Sequence, residues 1–336
     1  MRYTQALDAE LPDRRTDKGR YCPLAQHDDV TMKDNASYRL LAGQPPAAEV
    51  RRVLGAQNAK ALELLQTWHA DPAKRIHRAR QTFKRIRALL RAIRPVSRYV
   101  FMVENRFYRD LARTLSYARD AEAMAESVRL LEERLREPLP RQSWSMLRTS
   151  LERRAVVELA NSISGLSDSI EVACAELTFA QRRLQRLPLG TLRKKDLKRG
   201  VAATVRRGAH AYWRAVEQPE AENFHALRKF AKYAYNQARV MKALRPGWSS
   251  AHAPALAELE QALGQMHDLV VLDSFLRTQP DSLGIDIHVR RLRRAIGGAE
   301  ADIRLRSLQL GRRIFGEPAP GDNVVPFKLR PAGRAR

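Results

Sequence analysis

Cysteine is nearly absent: Cys22 and Cys174 are the only two in 336 residues. Their spacing offers neither a metal cage nor a disulfide framework, which fits a reducing cytosol. No apolar run approaches the roughly 20 residues that a membrane span needs. The N-terminal stretch carries Asp8, Glu10 and Asp13 in place of a hydrophobic segment, which argues against a signal peptide. β-type alternation of convincing length is missing, so the expected fold class is all-α. A P-loop, a dinucleotide fingerprint, a His-Glu-x-x-His pair and a nucleophile motif are all missing, and no carboxylate pair stands out at acid/base spacing, so catalysis has no support in the residues. Acid is also scarce. Lys plus Arg number 61 against 37 Asp plus Glu, for a net charge of +24 and a pI near 10.8. Such a balance calls for an anionic partner: nucleic acid, another polyanion or an acidic membrane surface.

The bases are not spread evenly. From Pro72 to Arg94 there are nine Lys or Arg and no acid. Asp71-Pro72 is a helix start, with Asp as cap and Pro at the first helical position. Ile76, Ala79, Phe83, Ile86, Leu90 and Ile93 then recur at steps of three and four, an apolar face. His77, Arg80, Lys84, Arg87 and Arg91 follow the same steps one residue later, so a basic stripe flanks the apolar one. Like charges at this spacing destabilise a helix by roughly 0.2–0.5 kcal/mol per pair. Either core packing outweighs that repulsion on a solvated face, or negative charge comes from outside the helix.

The design occurs twice. Phe224, Leu227, Ala231, Ala234, Ala238 and Met241 form a second apolar stripe beside His225, Arg228, Lys232, Arg239 and Lys242, with Lys229 adjoining, and no acid occurs from Phe224 to Arg245. In both copies Arg follows His at +3, Lys at +7 and Arg at +14. Leu115-Ser116-Tyr117-Ala118-Arg119-Asp120 follows the first copy and Leu263-Gly264-Gln265-Met266-His267-Asp268 the second, each Asp lying 43 positions after its His. A shared register of this kind implies a duplicated unit and two related lobes. Asp120 and Asp268 are expected to be structural, each orienting a nearby Arg or the His of its own copy.

Two copies of His-x-x-Arg-x-x-x-Lys, each followed by Leu-x-x-x-[Arg/His]-Asp, resemble the CHAD domain, the conserved-histidine α-helical domain. Gly200-Val201-Ala202-Ala203-Thr204-Val205-Arg206-Arg207-Gly208 is similar to that family's small-residue helix ending in Arg-Arg-Gly. The resemblance spans roughly Tyr38 to Phe315. It implies two pseudo-symmetric antiparallel helical bundles, roughly four long helices each, around a basic central channel. It also implies binding of inorganic polyphosphate without catalysis. The chain departs from the family pattern at Gln81, Val205, Ala209, Tyr235 and Asn236, and the first lobe keeps the denser charge.

The chain then divides into a disordered extension over 1–36, a first lobe over 37–188, a second over 189–316 and a loose basic tail over 317–336. Met32 is a candidate start. Glu49 to His69 reads as an amphipathic helix. A long or kinked helix is expected from Ser97 to about Arg136, where Arg109, Arg113 and Arg119 are further candidates for the anion. Gln142 to Asn161 and Ser167 to Leu187 read as two helices separated at Ser164-Gly165, with Cys174 in the core. Arg193, Lys194, Lys195, Lys198 and Arg199 open the second lobe against the helix dipole, which calls for a ligand or a neighbouring acid. Arg206 and Arg207 lie two to three turns on. Pro246-Gly247 ends the second His helix, and Pro254 starts the next.

Three readings remain. In the first, both basic helices line a channel for a linear polyanion such as polyphosphate, as on storage granules with protein partners. Successive turns rise about 5.4 Å, so each stripe is a ladder of cations, Arg forked and Lys a point charge. His77 and His225 would donate while charged, predicting tighter binding as pH falls through the histidine range. In the second, the same surface binds RNA or DNA, although few aromatics interleave the bases. In the third, His77, His225 and the two aspartates hold a metal, against the repulsion of the surrounding cations. No cofactor is expected.

Overall fold

The structure is a computed structural model that describes residues 37–115, 128, 131–132, 141–278 and 289–316. Among the described residues there are eight α-helices, one 3-10 turn and no strand. The helices are α1 (Pro46–Gln66), α2 (Pro72–Ile93), α3 (Arg98–Thr114), α4 (Arg141–Gln185), α5 (Lys194–Glu217), α6 (Ala221–Val240), α7 (Pro246–Thr278) and α8 (Val289–Phe315). The turn Trp68–Ala70 joins α1 to α2. The N-terminal extension with Met32, the basic tail, and Arg119 and Asp120 of the first downstream motif lie outside the described residues.

The basic helix α2 starts where its residues direct. The Asp71 side chain accepts a hydrogen bond from the Lys74 N–H, and Pro72 occupies the first turn. Its apolar stripe is fully committed: Phe83, Ile86, Leu90 and Ile93 are all inaccessible to solvent. This burial offsets the repulsion among the flanking cations, since each fully buried side chain of this size contributes about 1.5–3 kcal/mol. α2 is also the hub of the molecule. It packs on α1 and α3 from its own half and on α5 and α6 from the other. In the second half α5, α6, α7 and α8 close a ring of pairwise contacts.

Two close approaches fix these positions. A Cβ at Gly200 of α5 would overlap the Ala92 carbonyl of α2, so the two backbones touch there. Gln237 of α6 donates from its amide to the Ala88 carbonyl of α2 at 3.0 Å, fully buried. In the first half a polar network joins three helices. The Tyr108 hydroxyl donates to Asn58 Oδ1 at 2.7 Å, and Asn58 in turn donates to the Leu177 carbonyl and to Gln181. Arg183 of α4 grips the buried Glu104 of α3 with two bonds, at 2.6 and 3.0 Å.

The chain departs from the sequence expectations in three helices. The helix expected from Ser97 to about Arg136 ends at Thr114, and most of the remaining span lies outside the described residues. α4 runs unbroken through Ser164-Gly165 for 45 residues. A glycine inside a helix costs only about 1 kcal/mol relative to alanine, and Leu166, Ile170, Ala173 and Leu177 bury the stripe that follows. α7 begins at Pro246, with Pro254 inside it. Both prolines suit a first turn; the buried Trp248 shows that the apolar period has already begun before the second. Cys174 is half-buried against the core as expected, and burial, then Glu171, push its thiol up and away from reactivity.

Candidate functional site

The basic stripes of α2 and α6 meet. Tyr233, buried on α6, is the centre of one cluster. Its hydroxyl accepts from Arg87 Nη2 at 3.1 Å, and its ring centroid lies 4.2 Å from the Arg91 guanidinium. Arg87 Nε donates to Asn105 Oδ1 of α3 at 3.1 Å, and Arg91 also lies over Phe101 at 5.3 Å. Burial pushes the Arg87 guanidinium below its ordinary value, with Tyr233 opposing and Arg91 and Arg109 adding to the fall. Partial burial and then the charges of Arg94 and Arg91 lower Arg207 of α5 in the same way. Cations from α2, α3 and α5 thus press on one another beside α6.

The second cluster surrounds an acid. Lys232 Nζ lies 2.9 Å from Glu260 Oε1 of α7, with both side chains about one-fifth exposed. Burial alone would raise the Glu260 carboxyl, but Lys232, Lys84 and Arg228 outweigh it and hold the group below the usual carboxylate range. Cations of both copies, Lys84 from α2 and Arg228 and Lys232 from α6, therefore share one field.

The other expected site residues fall into three groups. His77 is half-buried with Nε2 2.9 Å from the Gln81 amide nitrogen, and Arg80 donates to the Leu115 carbonyl at 2.8 Å, both on the face that carries Lys84. Arg109 and Arg113 are exposed and share Asp110 with Arg106, at 2.9 Å for Arg109 and 3.7 Å for Arg113. Arg109 also faces Arg87. Lys194, Lys198 and Arg206 are exposed on α5 with no hydrogen bond or ion pair among the described residues. The acid that the α5 N-terminus called for is Asp196, which accepts from the Arg193 N–H at 3.0 Å and pairs with Arg199 at 3.1 Å.

Toward the ends of α6 the stripe changes character. His225 is exposed, its ring 6.0 Å from that of His267, next to the half-buried Asp268. Lys229 is exposed over the Phe230 ring. Arg239 lies between the Tyr38 and Tyr235 rings, at 5.9 and 5.6 Å. No group of three or more His, Cys, Asp or Glu among the described residues is placed to hold a metal. No helix among them is long and apolar enough to cross a membrane.

Glu260 was missed by sequence reasoning. It shares a helical face with Gly264 and Asp268, at steps of four, and that spacing could have found it. Asn105 gave no signal, because a lone amide on a basic helix is ordinary.

This arrangement defines a class of all-helical proteins in which two His-led basic helices, repeated in one chain, pack against each other. The CHAD domain model matches residues 52–277, two thirds of the chain, and the chain belongs to that family. No curated protein matches it.

Proposed function

We propose that this protein binds inorganic polyphosphate, without transforming it, along the cationic seam between α2 and α6. The observation that carries this reading is the convergence of Lys84 from one copy with Arg228 and Lys232 from the other around Glu260. A linear polyanion satisfies such a ladder better than isolated anions do, because one turn of helix, about 5.4 Å, separates successive cations. His77, Arg80, Arg87, Arg91 and Arg207 extend the ladder on the α2 side, and His225, Lys229 and Arg239 on the α6 side. Arg109, Arg113, Arg119, Lys194, Lys198 and Arg206 supply a surrounding positive field that speeds encounter. In this reading α1–α4 and α5–α8 are the two pseudo-symmetric lobes, meeting near residue 188, and the seam is the wall of a central basic channel. Asp268, and Asp120 in the other copy, orient the cations beside them. The protein then acts as a cytoplasmic scaffold on polyphosphate granules.

A nucleic acid would use the same charge but needs rings for its bases. Tyr233 is buried beneath Arg91, which weighs against that use. The test is binding of long-chain polyphosphate at near-physiological salt to wild type, Arg80→Ala/Lys84→Ala and Arg228→Ala/Lys232→Ala, with single-stranded RNA at equal phosphate as competitor. Each double variant is expected to weaken binding about tenfold or more, with a shallower salt dependence. Unchanged affinity in both removes the seam from the site, and RNA competing on equal terms replaces polyphosphate with nucleic acid.

A further inference from the structure

A cavity of about 350 Å³ opens where the C-terminal end of α6 meets the start of α7 and the segment before α1. That size suits a small organic ligand. Its charge is one-sided: Arg39, Arg239 and Lys242 line it, and no acid does among the described residues. Ala238 and Ala253 add apolar lining beside the half-buried ring of Tyr235, which lies 5.6 Å from the Arg239 guanidinium. Ser249 also lines it, only 2% exposed, and its hydroxyl has no hydrogen-bond partner among the described residues. A buried hydroxyl left without a partner costs about 1–3 kcal/mol, so its position in a cavity wall asks for a polar group from a ligand.

The lining therefore has two chemistries. Three cations and a hydroxyl suit phosphate oxygens. Apolar lining with an aromatic ring has no use for a bare phosphate chain but suits a planar heterocycle. We propose that this cavity is a nucleotide site that takes a nucleoside diphosphate, with the base against Tyr235 and Ala253 and the phosphates between Arg39, Arg239 and Lys242. Ser249 donates to a ligand oxygen. The site shares Arg239 with the polyphosphate reading and differs from it in needing the apolar lining, which the seam does not use.

The experiment is titration calorimetry of the full chain with ADP, adenosine and inorganic tripolyphosphate at near-physiological salt. ADP is expected to bind at least tenfold more tightly than adenosine and to resist displacement by equimolar tripolyphosphate. Ala253→Leu, which fills the apolar side, should weaken ADP at least tenfold and change long-chain polyphosphate affinity by less than twofold. Ser249→Ala should weaken ADP about threefold or more with an unchanged Tm, since the hydroxyl has no protein bond to lose. It decides the matter alone if the leucine variant fails to fold. Absence of ADP binding, equal competition by tripolyphosphate, or full ADP affinity in Ser249→Ala would overturn the proposal.

Discussion

The two basic helices carry the same residues at the same spacing and are neutralised differently. On α2, Arg87 and Arg91 rest on neutral groups: an amide, a phenol and two aromatic faces. On α6, Arg239 likewise rests on two rings, but Lys232 meets a carboxylate. An amide or a ring orients a guanidinium and leaves its charge in place, whereas a carboxylate cancels it. The Arg87–Arg91 end of α2 is thus a fixed positive surface, whereas Lys84 shares the field of Glu260. The α6 copy is one whose charge depends on the state of Glu260.

The largest break in this comparison should come from Gly200→Ala, which acts where α5 meets α2 by forcing a methyl group into the Ala92 carbonyl. Backbone has little room to yield, and a loss of about 3 kcal/mol or more is expected, at or beyond the upper end for overpacking. Urea unfolding measures it. Next, Lys232→Ala leaves Glu260 facing the ligand without its partner. Polyphosphate affinity should fall about thirtyfold, or about 2 kcal/mol. Lys232→Ala/Glu260→Ala should restore most of it, and a cycle in which the two effects simply add would dissolve the distinction between the helices.

A smaller effect sharpens the same point. Glu260→Gln should tighten polyphosphate binding several-fold by removing the competing anion. The sign of its pH effect follows from the depressed folded value of this carboxyl. Its ion pair adds stability above the ordinary glutamate value, about 4.3, and that stability is lost as pH falls through the lower folded value. Thermal melts of Glu260→Gln should therefore be flatter than wild type below about pH 4.3. The smallest expected change is from Tyr233→Phe, which removes the acceptor for Arg87 and keeps the ring under Arg91. It should cost about 1 kcal/mol or less in chemical denaturation.

Much of this was legible in the residues. Apolar spacing located α2 and α6, and Asp71-Pro72 located a helix start. What the sequence could not rank was competing punctuation. Ser164-Gly165 resembled a break but carried too small a penalty to end a helix, and Pro246, read as an end with Pro254 as the next start, itself begins α7, where Trp248 is buried. Nor could it say which acid from a distant helix would face the bases. Glu260 lies 28 positions from Lys232, and only packing of α7 on α6 brings them together. Tyr235 stood out as a departure from the family pattern, and its place in a cavity wall gives that departure a physical setting.

The segment ahead of α1 has a bearing on where this domain can be cut. The Tyr38 hydroxyl donates to the Arg85 carbonyl of α2 at 3.0 Å, and its ring lies under both Arg85 and Arg239. The Leu40 N–H donates to the Val240 carbonyl at the end of α6. A polypeptide trimmed to residues 52–277 would keep every residue of the family match and still lose this latch, together with α8, the fourth wall of the ring formed with α5, α6 and α7. The smallest unit able to hold both histidine helices in place is longer than the stretch by which its family is recognised.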